Sequence, residues 1–276
     1  MSAPSLARNK GGRRYVWPPN TDQPELVVPS VTTILGNLNK PALPNWAARE
    51  VARYAVEHIP SWENLPPDDA VDLLKGAPYR NMKRKGNIGT AVHETVDLWM
   101  AQKIKVPDYA GLELPAVDDL DLLPYIAGAI QYLNSHVHRV LHSEVTVFNR
   151  QYEYAGTVDA IVKLHNGAVC AVDWKTSNNI YPEHALQLVA YANADFIGAS
   201  DGTELAFPQI TEAHVVHLPG DATFKAHPVK LTERAFRTFV ALRSVQKWRD
   251  DFEADAFSTV LEPIEDYVAT TTKGGS

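Results

Sequence analysis

Asp159, Asp173 and Lys175 are the residues whose types and spacing could carry chemistry in this chain. In Ala171-Val172-Asp173-Trp174-Lys175 a β-strand would turn residues 173 and 175 to one face, about 7 Å apart along the chain. The preceding His165-Asn166-Gly167 suits a three-residue hairpin loop with Gly167 in the left-handed position. A hairpin centred on Asn166 sets Asp159 opposite Asp173, each seven residues from the centre. Opposed residues share a face, with Cβ atoms roughly 5 Å apart. A two-residue turn would shift the pairing by one and send Asp159 to the other face.

Such a patch is costly without a counter-ion, because adjacent carboxylates repel and one is driven to protonate. A divalent cation removes the repulsion. Hard oxygen ligands suit Mg²⁺ or Mn²⁺, which keep several waters and take up phosphate oxygens. A neighbouring lysine could orient or deprotonate an attacking water, or steady a scissile phosphate. The plainer alternative is an exposed sheet face with an Asp–Lys pair that contributes little.

The surroundings favour the chemical reading. Gln187 and Tyr191, spaced i, i+4, share one face of the helix expected after the Asp173 strand. Glutamine could hold a water or phosphate there, and tyrosine could stack on a base. Gly89-x-x-x-His93 puts a histidine near the start of another helix, where a lone histidine is more often a structural hydrogen-bonder than a ligand.

The elements that must position these groups can be read from periodicity. Residues 1–12 read as a flexible basic arm, followed by a small hairpin from Arg14–Trp17 and Glu25–Val28. Ser30 is a plausible N-cap for a short helix that Gly36 could end. Helices are predicted over Pro44–His58, Asp68–Leu74, a long segment starting near Gly89, and Leu120–Leu141. The pattern changes at Glu144: Val145–Phe148, Gly156–Leu164 and Ala168–Trp174 are rich in β-branched residues and read as consecutive strands. A helix over Pro182–Ala199, strands at Ala213–Leu218 and Thr223–Lys230, and a helix over Thr232–Asp251 complete the pattern. These boundaries give an arm and hairpin (1–28), a helical part (29–141), a core (142–255) and a C-terminal tail (256–276), partly disordered, within one α/β domain.

Composition narrows the classes. With 45% hydrophobic and 21% charged residues the chain can bury an ordinary core. The net charge of −7 argues against a surface that is DNA-binding throughout, but a metal site concentrates carboxylates and a local basic stripe can supply phosphate contacts. The basic cluster Arg80, Lys83, Arg84 and Lys85 fits either a solvated face or such a stripe. The single cysteine, Cys170, excludes an internal disulfide, a cysteine-ligated zinc and an iron–sulfur cluster. The residues after Met1 have no apolar core, and no run approaches the length of a membrane span. A reducing cytoplasm is the expected setting, with no membrane partner.

Taken in order, Gly89-x-x-x-His93, Glu144, Gly156-Thr157-Val158-Asp159, Asp173-Trp174-Lys175-Thr176 and Gln187-x-x-x-Tyr191 resemble the RecB-like branch of the PD-(D/E)xK nucleases, which includes the CRISPR-associated adaptation nucleases and many phage exonucleases. Pro29–Leu35 and Lys40–Ala48 look similar to phage members. The resemblance implies an α+β fold with a restriction-endonuclease-like core, a mixed central sheet flanked by helices, and a mostly helical N-terminal half. It implies that His93, Asp159, Asp173 and the carbonyl of Trp174 hold Mg²⁺ or Mn²⁺. Lys175 would be the catalytic lysine, Gln187 and Tyr191 would support the site and contact DNA, and Glu144 would assist without ligating. Relatives acting in adaptation usually carry four cysteines for an iron–sulfur cluster, which this chain cannot supply. The activity implied is that of a DNA exonuclease leaving 5′-phosphates, serving phage recombination or replication, with a single-strand-binding or recombination protein as partner. An endonuclease on the same fold and an inactive DNA- or protein-binding module are the alternatives.

Overall fold

The computed structural model describes residues 5–9, 12–19, 21–22, 24–105, 119–252 and 256–258. The tail beyond 258, and the side chains of the expected basic arm up to residue 11, lie outside the described residues. Within them are ten strands and seven α-helices. Strands β1 (Ser5–Asn9), β2 (Gly12–Trp17) and β3 (Leu26–Pro29) form a small antiparallel sheet. The predicted hairpin is its β2–β3 half, with Trp17 opposite Leu26, while Ser5–Asn9, expected as an irregular arm, adds a third strand.

Helices α1 (Val31–Leu35), α2 (Ala42–Glu57), α3 (Pro67–Lys75), α4 (Ala77–Lys105) and α5 (Leu123–His136) make the first half of the chain largely helical. Ser30 caps α1 by accepting from the Thr33 N–H, as its type predicts. Then come β4 (Val137–Asn149), β5 (Tyr154–Leu164), β6 (Val169–Lys175), α6 (Pro182–Ala192), β7 (Phe196–Gly198), β8 (Glu204–Ala206), β9 (Glu212–His217), β10 (Lys225–Pro228) and α7 (Glu233–Asp251). These seven strands form one sheet in the order β10-β9-β6-β5-β4-β7-β8, antiparallel except between β6 and β9. The architecture expected from the sequence, a mixed sheet flanked by helices with a helical front half, is the one formed.

Three boundaries differ from expectation. Helix α4 starts at Ala77 rather than near Gly89, so the basic cluster and His93 share one 29-residue helix. The helix predicted over Leu120–Leu141 ends at His136 and the chain turns straight into β4, moving the expected boundary at 141/142 into the middle of a strand. Apolar residues at 137, 140 and 141 fit either period, and pairing with β5 decides the outcome. The helix predicted to Ala199 stops at Ala192, because Phe196–Gly198 pair with β4 instead.

The sheet has a core on each face. Helices α4 and α5 cover one side through Val92, Val96, Trp99, Met100, Ile126 and Tyr132. On the other side α1, α6 and α7 contribute Ile34, Leu188, Val189 and Phe239. Trp99 is a buried core residue. By contrast α2 and α3 contain no buried residue, so the lobe they form leans on the body through amphipathic, half-exposed faces.

The β5–β6 hairpin has the anticipated register. Ala160 pairs with Val172 and Lys163 with Val169, so the centre falls on Asn166. Gly167 adopts φ 90°, and its N–H donates to the Leu164 carbonyl at 3.0 Å. Because an L-residue pays about 1–2 kcal/mol in this region, Gly167→Ala is expected to lower the denaturant midpoint by that order with an unchanged m-value. Gly167→Asn should cost less, since asparagine tolerates the left-handed conformation.

Candidate metal centre

The β5–β6 ladder ends at Ala160 and Val172, one step short of Asp159 and Asp173. Beyond it β5 stays with β4 as far as Tyr154, while β6 stays with β9 as far as Lys175. The sheet therefore forks between its two central strands. At the fork the Trp174 N–H donates to Asp159 Oδ2 at 2.8 Å. A side chain thus takes the place of a ladder acceptor.

Above the fork lies a cleft of about 810 Å³ lined by Arg13, Tyr15, His93, Glu94, Asp97, Glu144, Asp159, Asp173, Lys175, Gln187 and Tyr191, among others. His93, one turn before the buried Val96 on α4, brings Nε2 to 3.0 Å from the Trp174 carbonyl and Nδ1 to 3.5 Å from Asp159 Oδ2. Lys175 Nζ lies 2.7 and 2.6 Å from the two oxygens of Asp173. Glu144 stands on β4 between the pairs Ser143–Ala160 and Val145–Val158, hence opposite Asp159. It holds φ 48°, unusual for a residue inside a strand and a form of strain that collects at functional sites.

The ligand set implied by the resemblance was His93, Asp159, Asp173 and the Trp174 carbonyl. Among the described residues His93, Glu144 and Asp159 bring ligand atoms within 4.8 Å of one another. The Trp174 carbonyl is on the His93 side of this grouping, whereas Asp173 is tied to Lys175. Glu144, expected as an accessory, brings a carboxylate oxygen into that grouping. A cation suits this donor set. The carboxylate and carbonyl oxygens match Mn²⁺ or Mg²⁺, and Asp173 Oδ2 is buried without an aligned hydrogen bond.

The electrostatics carry the same message. Burial pushes Glu144 upward, Asp159 adds to the push, and its pKa reaches about 7 against opposition from His93. Burial also lifts Asp173, to about 6, against Lys175 and with help from the charge of Asp159. Burial alone would lower His93, but Asp159 outweighs it and raises the imidazole to about 9. Asp159 resists its own burial because His93, Lys175 and the Trp174 N–H hold it low. Lys175 likewise stays above its ordinary value, since Asp173 and Asp159 overcome its desolvation. The carboxylates are short of positive charge, and His93 supplies it by holding a proton.

Gln187 and Tyr191 line the same cleft from α6, with the Gln187 amide donating to the Tyr191 hydroxyl at 3.0 Å. Tyr191 is only 3% exposed, so its expected role in stacking a base is not open to it. Its ring lies against Gly156, where a β-carbon would come within 2.5 Å, which explains the glycine three residues before Asp159. Of the basic cluster, Arg80 is engaged by the Leu73 carbonyl at 2.9 Å and by the Tyr54 ring. Arg80 and Arg84 line a separate cleft between α2 and α4, while Lys83 and Lys85 are exposed on α4. None of the four lines the metal-centre cleft. Sequence reasoning did not single out Glu94 or Asp97, although Asp97 follows His93 at i+4 on the same helix face, nor Tyr15, whose contact is made across the fold. His136, His138 and His142 straddle the α5–β4 junction.

No protein-family model and no curated protein matches the chain. Among solved structures, the crystal structure of SSO0001 is similar with a TM-score of 0.30 and 18% identity, covering 47% of this chain. The chain spans 58% of the length of that structure.

Two outcomes are expected. His93 has a folded pKa above its ordinary 6.5, so its stabilising contribution is complete below pH 6.5 and lost as pH rises through about 9. Glu144, raised from 4.5, adds a penalty that grows from pH 4.5 and is complete above about 7. Both protons oppose a cation, so the increase in Tm on adding Mn²⁺ should be larger at pH 9 than at pH 6 in thermal scans. Glu144→Asn should raise the metal-free Tm by roughly 2–4 °C, the equivalent of about 1 kcal/mol of relieved strain in a chain of this size. The same variant should weaken Mn²⁺ binding measured by calorimetry.

Proposed function

We propose that this protein is a metal-dependent DNA nuclease of the PD-(D/E)xK type, hydrolysing phosphodiester bonds from DNA ends during phage recombination or replication. The observation that supports this reading is the convergence of His93, Glu144, Asp159, Asp173 and Lys175, drawn from α4, β4, β5 and β6, on the fork of a mixed sheet. Mg²⁺ or Mn²⁺ bound there would polarise the scissile phosphate and lower the pKa of a bound water. His93, Glu144 and Asp159, with the Trp174 carbonyl, are the groups that would hold it.

The remaining roles fall to side chains. Asp173 fixes Lys175 Nζ at the mouth of the fork. Asp173 and Asp159 hold the Lys175 pKa above its ordinary value, which suits a donor that orients a water or bears charge developing on phosphate oxygens. Gln187 and Tyr191 are positioning residues: buried and bonded to each other, they brace the floor beneath the two aspartates. No helix among the described residues is long and apolar enough to cross a membrane.

The test is cleavage of end-labelled linear DNA with Mg²⁺ or Mn²⁺, beside a Lys175→Ala control and a closed-circular substrate. Metal-dependent loss of label is expected, reduced by roughly 10²-fold or more in the variant, the scale of losing one electrostatic stabiliser, with the circle left intact. Cleavage of the circle would make the protein an endonuclease. No cleavage of any substrate with either metal would leave a binding module.

A further inference from the structure

We propose that Arg13 grips a backbone phosphate of the substrate strand at the mouth of the metal-centre cleft. The inference rests on the nuclease reading and supplies a substrate-binding residue that none of the motifs contains.

The cleft needs one. Its lining carries five carboxylates, Glu94, Asp97, Glu144, Asp159 and Asp173, against two Lys or Arg side chains, Arg13 and Lys175. Lys175 is already taken by Asp173. A polyanion approaching such a wall is repelled, and a cation held among the carboxylates answers that repulsion on one side only. Arg13 is the remaining fixed positive charge, and it forms no ion pair among the described residues. Its neighbour Arg14 makes the contrast. Successive residues of a strand point to opposite faces, and Arg14 turns away to pair with Asp250 at 2.7 Å. One arginine of the pair is structural, and the other faces the cleft.

Arg13 is also prepared for the task. Its N–H donates to Thr33 Oγ1 at 3.1 Å, and its carbonyl accepts from the Ser30 N–H at 2.9 Å. The backbone is therefore fixed while the side chain remains exposed. The guanidinium lies 4.8 Å from the centroid of the Tyr15 ring, a cation–π contact that limits the orientations of the fork. Tyr15 is itself buried, and its hydroxyl is 2.9 Å from Thr157 Oγ1. Thr157 is two residues before Asp159 on β5, so the platform under Arg13 is built on the strand that carries the metal-site aspartate. A planar guanidinium matches phosphate through paired N–H donors, and restricting it beforehand reduces the entropy lost on binding.

The experiment uses a fluorescein-labelled oligothymidylate with Mn²⁺. In steady-state cleavage, Arg13→Gln is expected to raise KM about tenfold, the scale of one charge-assisted hydrogen bond, with kcat little changed. Arg13→Lys should recover part of that loss. In anisotropy titrations on a Lys175→Ala background, adding Arg13→Gln should reduce the slope of log K against log salt by about 0.7, the loss of one single-strand phosphate contact. Thermal scans should leave Arg13→Gln at the wild-type Tm, since the backbone bonds are retained. If the wild type cleaves but Arg13→Gln keeps its KM and salt slope, the grip is refuted and the nuclease reading stands. A fall in kcat with KM and slope unchanged refutes it equally. If the wild type does not cleave, yet Arg13→Gln lowers Mn²⁺-dependent binding and its salt slope, the grip stands and hydrolysis does not. Failure of the wild type both to bind and to cleave overturns the two together.

Discussion

The fork between β5 and β6 is the constraint on which the candidate site depends. A hairpin centred on Asn166 holds the two central strands in register up to Ala160 and Val172, and each strand then follows its outer neighbour. Separating paired strands frees backbone groups that must find other partners. Asp159 meets that demand by accepting from the Trp174 N–H, and His93 Nε2 lies against the carbonyl of the same residue. Both polar groups of one peptide-bonded residue are therefore turned to the centre. The carboxylates are brought together by the same geometry that opens room between them.

The price is electrostatic. Glu144, Asp159 and Asp173 lie across three neighbouring strands on a partly desolvated floor, and the fold offsets them with Lys175 and a protonated His93. That arrangement is self-consistent without a metal and unfavourable enough to welcome one. Glu144 adds backbone strain at φ 48°. Repulsion and strain at one residue mark the place where the chain is least optimised for stability alone.

Much of this was legible because it follows from local rules. Asn166-Gly167 between two β-branched runs sets the hairpin and its register, and i, i+4 spacing puts Gln187 and Tyr191 together. Ser30 and Thr232 cap the helices they precede. What escaped was set by contacts between distant segments. The strand at Val137–Leu141 has a pattern that fits a helix until β5 pairs with it. Glycines at 86 and 89 weaken a helix, yet α4 runs through both. Nothing local announces that Glu144 turns inward, or that β2 delivers Arg13 and Tyr15 to a cleft in which Asp159 and Asp173 lie well over a hundred residues away.

Helix α4 has a mechanical consequence. At 1.5 Å per residue its 29 residues form a rod of roughly 44 Å. Val92, Val96, Trp99 and Met100 clamp it in the core, whereas its first turns support a lobe in which α2 and α3 bury no residue. A rod clamped in this way pivots where it is gripped. His93 lies within the gripped stretch, next to Val92, so the packing that anchors α4 also holds the imidazole over the fork.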